Sequence, residues 1–551
     1  MSRVRIRLLE FQNLLLELAE AKAQYLLYLF IAMYTVVFSY FTVVKHFAFQ
    51  TYAGDLGIFE QSLWSMLKYG LFFYNTPELG AHFAYHFDPI LYLLLPVYSI
   101  YPSPLTLLVL QSFFLSLGAV PIYWLAKGEL ESNRAGLVFA ILYLLYPPLQ
   151  GVNWYDFHPE CLFPVLMIAA FYYFRKRKFV RYFILIVLAM MCKEIIPLII
   201  VFMGIYGLWI NRKKILALSI LNLKQLLMDK GIISSILTIV AGVIWYIQAG
   251  RIISSLRGVL YNAYDPFGAW FYLGGSMQDI FLSFITRPLY VLYIAFTPFY
   301  SKLFYLLVLF GPLAFLSFLN PPSLLISLPW LAPSMLSLLP NHYQPVGLQY
   351  PALLIPFIFI SAIYGTKTLA SMAKNSRLQA FLKNPITERI MKNQYVRGKV
   401  LQGLSKPLEP VLLLLILCSI TFALILSPIG TFPNATFHDK ALEMVVYTIP
   451  PYSSVATQNE IFPHLSHNLN AYPVYHPIFE YEYILVDKTS IYYYLPPLYG
   501  KYNSPVTPVA FSLVVPELID NGTYGILISI DGIMLLKRGY TGQPIVNLTL
   551  I

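Results

Sequence analysis

Charge is what this sequence has least of. Only 11% of its 551 residues are Asp, Glu, Lys or Arg, while 58% are hydrophobic; a soluble domain carries about a quarter charged residues. An ordinary water-soluble fold is therefore excluded. Between Lys302 and Lys367 no Asp, Glu, Lys or Arg occurs, which leaves room for two or three membrane crossings at about 20 apolar residues each. Cysteine is scarce as well. Cys161, Cys192 and Cys418 all lie in apolar runs, so neither a disulfide framework nor a Cys-rich metal site is expected. The sequence also lacks an internal repeat of the kind that marks the two halves of a secondary transporter, and its tail has no Gly-rich phosphate loop.

The charges that are present have a pattern. The net charge is +11, yet from Ile429 onward five Lys and Arg stand against nine Asp and Glu. The tail thus carries −4 and the preceding part +15. That excess sits in short runs beside apolar segments, as the positive-inside rule requires, and nucleic acid is not needed to explain it. Arg3, Arg5 and Arg7 open an amphipathic stretch read as an interfacial helix on the cytoplasmic side. Three further basic clusters, 175–181, 212–214 and 367–406, are assigned to the cytoplasm.

Between these clusters, apolar runs place spans near 24–44, 105–126, 135–150, 160–174, 180–193, 195–210, 232–249, 281–300, 303–320, 348–366 and 410–427, about eleven in all. An odd number puts the tail outside. The sequons at Asn434, Asn521 and Asn547 fall in that tail, and all nine histidines fall in segments that this topology places outside. The expected division is a transmembrane domain over 1–427, with a long first external loop at 45–104, and an extracytoplasmic domain over 428–551. The runs at 89–100 and 321–340 are too short or too rich in proline to span, and read as interfacial or re-entrant helices. In the tail, strand-like runs at 483–486, 525–530 and 532–536 with helical candidates at 440–447 and 516–521 indicate a small α/β domain.

Ionisable residues concentrate in the external loops. The first contains Asp55, Glu60 and Gln61, then His82, His86 and Asp88 before Pro89. Asp55 follows the first span and precedes a helical pattern at 56–67, where it is expected either to cap that helix or to act as a base; the two roles are compatible. The second loop packs Asp156, His158 and Glu160 into five residues, and Lys193-Glu194 interrupts an apolar stretch. Charges kept at a membrane boundary usually face a cavity and serve function, though Glu160 at a helix start and a mutual Lys193–Glu194 pair have plain structural readings. His82 and His86, four apart, share a face if helical, and with Asp88 offer N and O ligands for a divalent metal ion. His342-Tyr343 is a further polar pair at the outer surface.

The order of Asp55, His86-Phe87-Asp88-Pro89, Tyr146-Pro147-Pro148-Leu149-Gln150-Gly151, Asp156-Phe157-His158-Pro159-Glu160 and Lys193-Glu194 resembles the domain of unknown function 2079 family of polytopic membrane proteins, from about residue 50 to 210 and more loosely into the tail. That family is similar in layout to GT-C glycosyltransferases, which take a sugar from a polyprenyl-phosphate donor at the outer membrane surface. There an acid follows the first span, two juxtamembrane helices come next, and a second acid lies in the next external loop. Asp55, the segments 56–68 and 89–101, and Asp156 match this plan; the His-rich loop departs from it.

The resemblance implies a multi-pass plasma-membrane glycosyltransferase using a polyprenyl-phosphate-linked sugar and a glycan, lipid or protein acceptor. Asp55 and Asp156 are its expected catalytic carboxylates. Glu60, Gln61, His158, Glu160, Lys193, Glu194, His342 and Tyr343 are expected around the substrate. The rival readings are a transporter or flippase of a lipid-linked substrate and a non-catalytic envelope protein.

Overall fold

In the first span, 25 residues without proline form one α-helix, Ala23–Phe47 (α1), whose stripe Leu27, Ile31, Tyr34, Phe38, Phe41 and Lys45 is buried at helical spacing. The computed structural model describes residues 20–217, 228–257, 268–373, 408–477, 479–495 and 509–547. The expected N-terminal interfacial helix and most of the basic segment 367–406 lie outside these residues.

Among the described residues, five helices are long and apolar enough to cross a membrane: Ala23–Phe47, Pro104–Leu130, Lys230–Arg257, Ile355–Met372 and Leu408–Gly430. Two bent pairs bring this to as many as seven. One is Asn133–Leu144 with Pro147–Trp154, bent by 44° where Pro147 and Pro148 interrupt the ladder. The other is Pro288–Ala295 (α2) with Phe299–Leu313, bent by 67°. The expected spans at 160–174, 180–193 and 195–210 are shorter helices, Phe163–Arg175, Phe179–Met190 and Ile196–Ile210. The proline-rich stretch after 320 breaks into a short turn of helix, a 3₁₀ turn and Leu328–Leu336 (α3).

One charge within this apolar framework has a local explanation. Lys302, fully buried in Phe299–Phe310, donates from Nζ to the carbonyl oxygens of Ile294, at 2.6 Å, and Met335. Those carbonyls close the C-terminal turns of α2 and α3. Each helix end carries a partial negative charge of roughly half a unit, so one ammonium answers two helix termini.

The first loop folds back on the bundle. A π-helical turn, Ala53–Gly57, leads into an α-helix, Ile58–Tyr69 (α4). A two-residue hairpin follows, Tyr74–Asn75 (β1) with Gly80–Ala81 (β2), and then a short helix, Leu91–Tyr98. Asp55 does not cap α4: Gly57 stands at the cap position with no side-chain bond, and the Asp55 carboxylate is engaged elsewhere.

The tail is built on a five-stranded sheet in the order Ala471–Tyr472, Val455–Thr457, Tyr483–Asp487, Ile533–Arg538, Tyr524–Ile530. Val455–Thr457 (β3) pairs in parallel with Ala471–Tyr472 (β4) and Tyr483–Asp487 (β5). Ile533–Arg538 (β7) runs antiparallel to both β5 and Tyr524–Ile530 (β6). Asp531 and Gly532, both at positive φ, make the tight turn between β6 and β7, a geometry in which Asp-Gly is favoured. A helix, Phe437–Thr448, opened by a Thr436/Asp439 capping box, buries Ala441, Leu442, Val445 and Val446 against one face. Phe511–Asp520 lays Phe511, Val514 and Val515 on the other.

Candidate active site

The turn after α1 and the loop after Pro147–Trp154 meet at the loop-bearing end of the bundle. Lys45, in the last turn of α1, reaches Asp156 Oδ1 at 3.1 Å and the Trp154 carbonyl at 3.0 Å. The Tyr52 amide donates to the other Asp156 oxygen at 2.6 Å. Asp156 is wholly buried, and burial pushes its carboxyl above the usual range against the opposing pull of Lys45. Asp55 sits one hydrogen bond away from that pair's loop: His158 Nε2 is 3.0 Å from its Oδ1, and the Tyr155 hydroxyl donates to its Oδ2 at 2.5 Å. Burial would raise the Asp55 carboxyl, but the His158 charge and these hydrogen bonds hold it below the ordinary carboxylate range. Burial likewise opposes the His158 charge, and Asp55 overcomes it, so the imidazolium form is favoured. His158 Nδ1 is oriented by the Asp156 carbonyl at 3.0 Å.

Gln111 fixes the loop. Its amide nitrogen lies 2.9 Å from the Tyr155 carbonyl and within reach of those of Val152, Asn153 and Asp156, while its oxygen accepts from the His158 amide at 3.0 Å. One side chain thus serves the irregular loop with its two N–H donors and its acceptor.

A second network adjoins the first across Phe59, whose ring meets His158 edge-on at 5.4 Å and His82 at 5.0 Å. His82 is gripped by two carboxylates, Glu78 at 3.0 Å and Asp88 at 3.2 Å. Burial disfavours its charge, yet the two partners push its pKa up to about 10. Lys193 links the loops, 3.5 Å from Glu160 and 3.8 Å from Asp88. Glu160 Oε2 and Asp88 Oδ1 are buried with no hydrogen-bond partner. Glu194 pairs with His86 at 2.9 Å, outside the expected pair with Lys193.

The expected metal trio is not assembled. Among the described residues no three His, Cys, Asp or Glu side chains are grouped to hold a metal ion. His82 and His86 are joined by one turn, the His86 amide bonding the His82 carbonyl at 3.1 Å, and their rings lie 5.8 Å apart. Both nitrogens of His82 are turned to carboxylates, and His86 turns to Glu194.

The structure gathers Asp55, Asp156, His158, Glu160, Lys193, His82, Asp88, His86 and Glu194 into this pair of networks. It sends the others elsewhere. Glu60 accepts from Tyr98 and pairs with His467 of the tail at 2.6 Å. Gln61 binds the Asn468 carbonyl at 2.9 Å and accepts from Thr76. His342 bonds Ser337 and stacks on Trp270, and Tyr343 lies beneath the Lys302 ammonium. Residues that sequence reasoning missed are Lys45, Tyr155, Gln111 and Glu78. Lys45 was visible as a charge closing an apolar run and Tyr155 as the neighbour of Asp156; the uncharged Gln111 gave no signal.

No curated protein matches the chain in sequence. Among solved structures, the crystal structure of ArnT from Cupriavidus metallidurans bound to undecaprenyl phosphate is similar at 11% identity, covering 92% of this chain and 97% of that one, with a TM-score of 0.48. The model of a family described as "Predicted membrane protein (DUF2079)" matches residues 45–492. With most of its length covered, the chain belongs to that family of predicted membrane proteins.

Proposed function

We propose that the protein is a membrane glycosyltransferase of GT-C layout that moves a sugar from a polyprenyl-phosphate-linked donor to an acceptor hydroxyl. In this reading the chain crosses the plasma membrane about eleven times, with its N-terminus in the cytoplasm and both the site and the C-terminal domain outside. The observation that carries the proposal is the Asp55 carboxylate, kept ionised by His158 and Tyr155 while its side chain remains 12% exposed. Asp156, by contrast, is closed off by Lys45 and Tyr52 and serves to hold the loop.

Asp55 takes the proton of the acceptor hydroxyl as its oxygen bonds to the anomeric carbon. The carbon–oxygen bond to the donor phosphate breaks, and the electron pair leaves with that phosphate. Lys193 and the His158 imidazolium are the cations assigned to the departing charge. Because the carboxylates already pair with side-chain cations, this version assigns no step to a metal. Purified protein offered a panel of polyprenyl-phosphoryl hexoses and pentoses is expected to release lipid phosphate. Asp55→Asn is expected to lower that release on the order of a hundredfold or more. Full activity in Asp55→Asn, or movement of the lipid between leaflets with its sugar still attached, would overturn the proposal; the latter result favours the flippase.

A further inference from the structure

We infer that the C-terminal sheet unit positions the Asp55 turn, with Asn459 and Phe462 as its positioning residues. The inference rests on the role proposed for Asp55 and adds what keeps that residue in place. The π-helical turn has its own i→i+5 bond, from the Gly57 amide to the Tyr52 carbonyl at 3.1 Å, but Ala53 opens the turn ahead of that ladder and its amide needs a partner from outside. The Ala53 amide has two, the Asn459 carbonyl at 2.8 Å and the Asn459 side-chain oxygen at 3.1 Å. At the far end of the turn, a Cβ on Gly57 would lie 2.7 Å from Cδ1 of Phe462. Phe462 is fully buried in the core beneath the sheet, so its ring has little room to yield.

Asp55 lies between these two anchor points. Its carboxylate is held by Tyr155 and His158 of the bundle, and the tail holds the backbone on either side of it, at Ala53 and Gly57. Neighbouring contacts close the clasp on both sides. His464 stacks on His46 at 4.1 Å and reaches its carbonyl, while Glu60 with His467 and Gln61 with Asn468 follow the turn. A base displaced by about 1 Å loses on the order of a hundredfold in rate, so a clasp at this point governs turnover more than binding.

Two measurements on the full-length protein test this. In hydrogen exchange, Gly57→Ala is expected to deprotect residues 52–58 while the helix at 104–117 stays protected, and Gly57→Ala combined with Phe462→Leu is expected to restore protection. In lipid-phosphate release from the polyprenyl-phosphoryl sugar panel, Gly57→Ala is expected to cut kcat by about tenfold to a hundredfold, with donor KM within twofold and with recovery in the double variant. Unchanged exchange in Gly57→Ala, or no recovery on adding Phe462→Leu, overturns the inference. Asp55→Asn separates the two claims. If it is inactive while Gly57→Ala turns over normally, the positioning role fails and the base stands. If Asp55→Asn is active, the base itself fails.

Discussion

Asp55 and Asp156 carry the same side chain and stand in one loop cluster, but their surroundings push them in opposite directions. Paired carboxylates driven apart in this way divide the work of a site between them. The split sets a pH profile. Asp55 is held below the usual range, so activity is expected to persist down past about pH 4. His158 is raised, so activity is expected to fall only above about pH 6.5, as the imidazolium is lost. His158→Asn removes the charge that keeps Asp55 ionised and is expected to move the acid limb upward; a profile measured from pH 3 to 10 reads both limbs. Lys193→Ala is expected to raise donor KM, whereas a strong chelator is expected to leave activity intact. Loss of activity on chelation with recovery in Zn²⁺ or Mn²⁺ would restore the metal expectation. Gln111→Leu strips the Tyr155 carbonyl and the His158 amide of their partner, and is expected to destabilise the protein by about 2 kcal/mol in detergent unfolding.

At the scale of elements, one charge cluster acts as a fastener. The His82 clamp joins β1 and β2 to Asp88, ahead of the short helix Leu91–Tyr98. Its pKa of about 10 lies above the unfolded value near 6.5. The stabilisation is therefore fully present below pH 6.5 and is lost as pH rises through 10. Melting temperatures measured across that window are expected to fall, and to fall less in His82→Gln. Why some elements were legible and others were not follows from the same local forces. The runs at 483–486, 525–530 and 532–536 announced themselves by their strand-like apolar patterning. β3 and β4 are three and two residues long, too short for any periodicity. Glu60 and Gln61 looked like site residues because they follow Asp55. They lie on the face of α4 that the tail covers, and nothing in the loop's own sequence records what docks on it. The His82, His86 and Asp88 trio is not assembled because Glu78 and Glu194, which the metal expectation left out, take the imidazoles.

For the whole molecule, the distribution of charge made the membrane character plain, and the loops that converge were the ones richest in ionisable residues. The proposed orientation has a direct check. Cysteines placed at Asn434 or Asn521 are expected to react with an impermeant reagent from outside, and one at Asn393 only after permeabilisation; the reverse pattern would invert the topology.

The clasp on Ala53 joins residues 406 positions apart in the chain. A ribosome feeding this protein into a membrane will thus have inserted the first span and released the Asp55 loop long before Asn459 exists. During that interval the nascent chain holds its carboxylates and histidines without the partner that fixes the turn. Contacts of such long range form late. Chains halted before residue 459 should insert normally and still leave the Asp55 turn unfixed, so that under the proposed function no transfer would begin while the chain is being made.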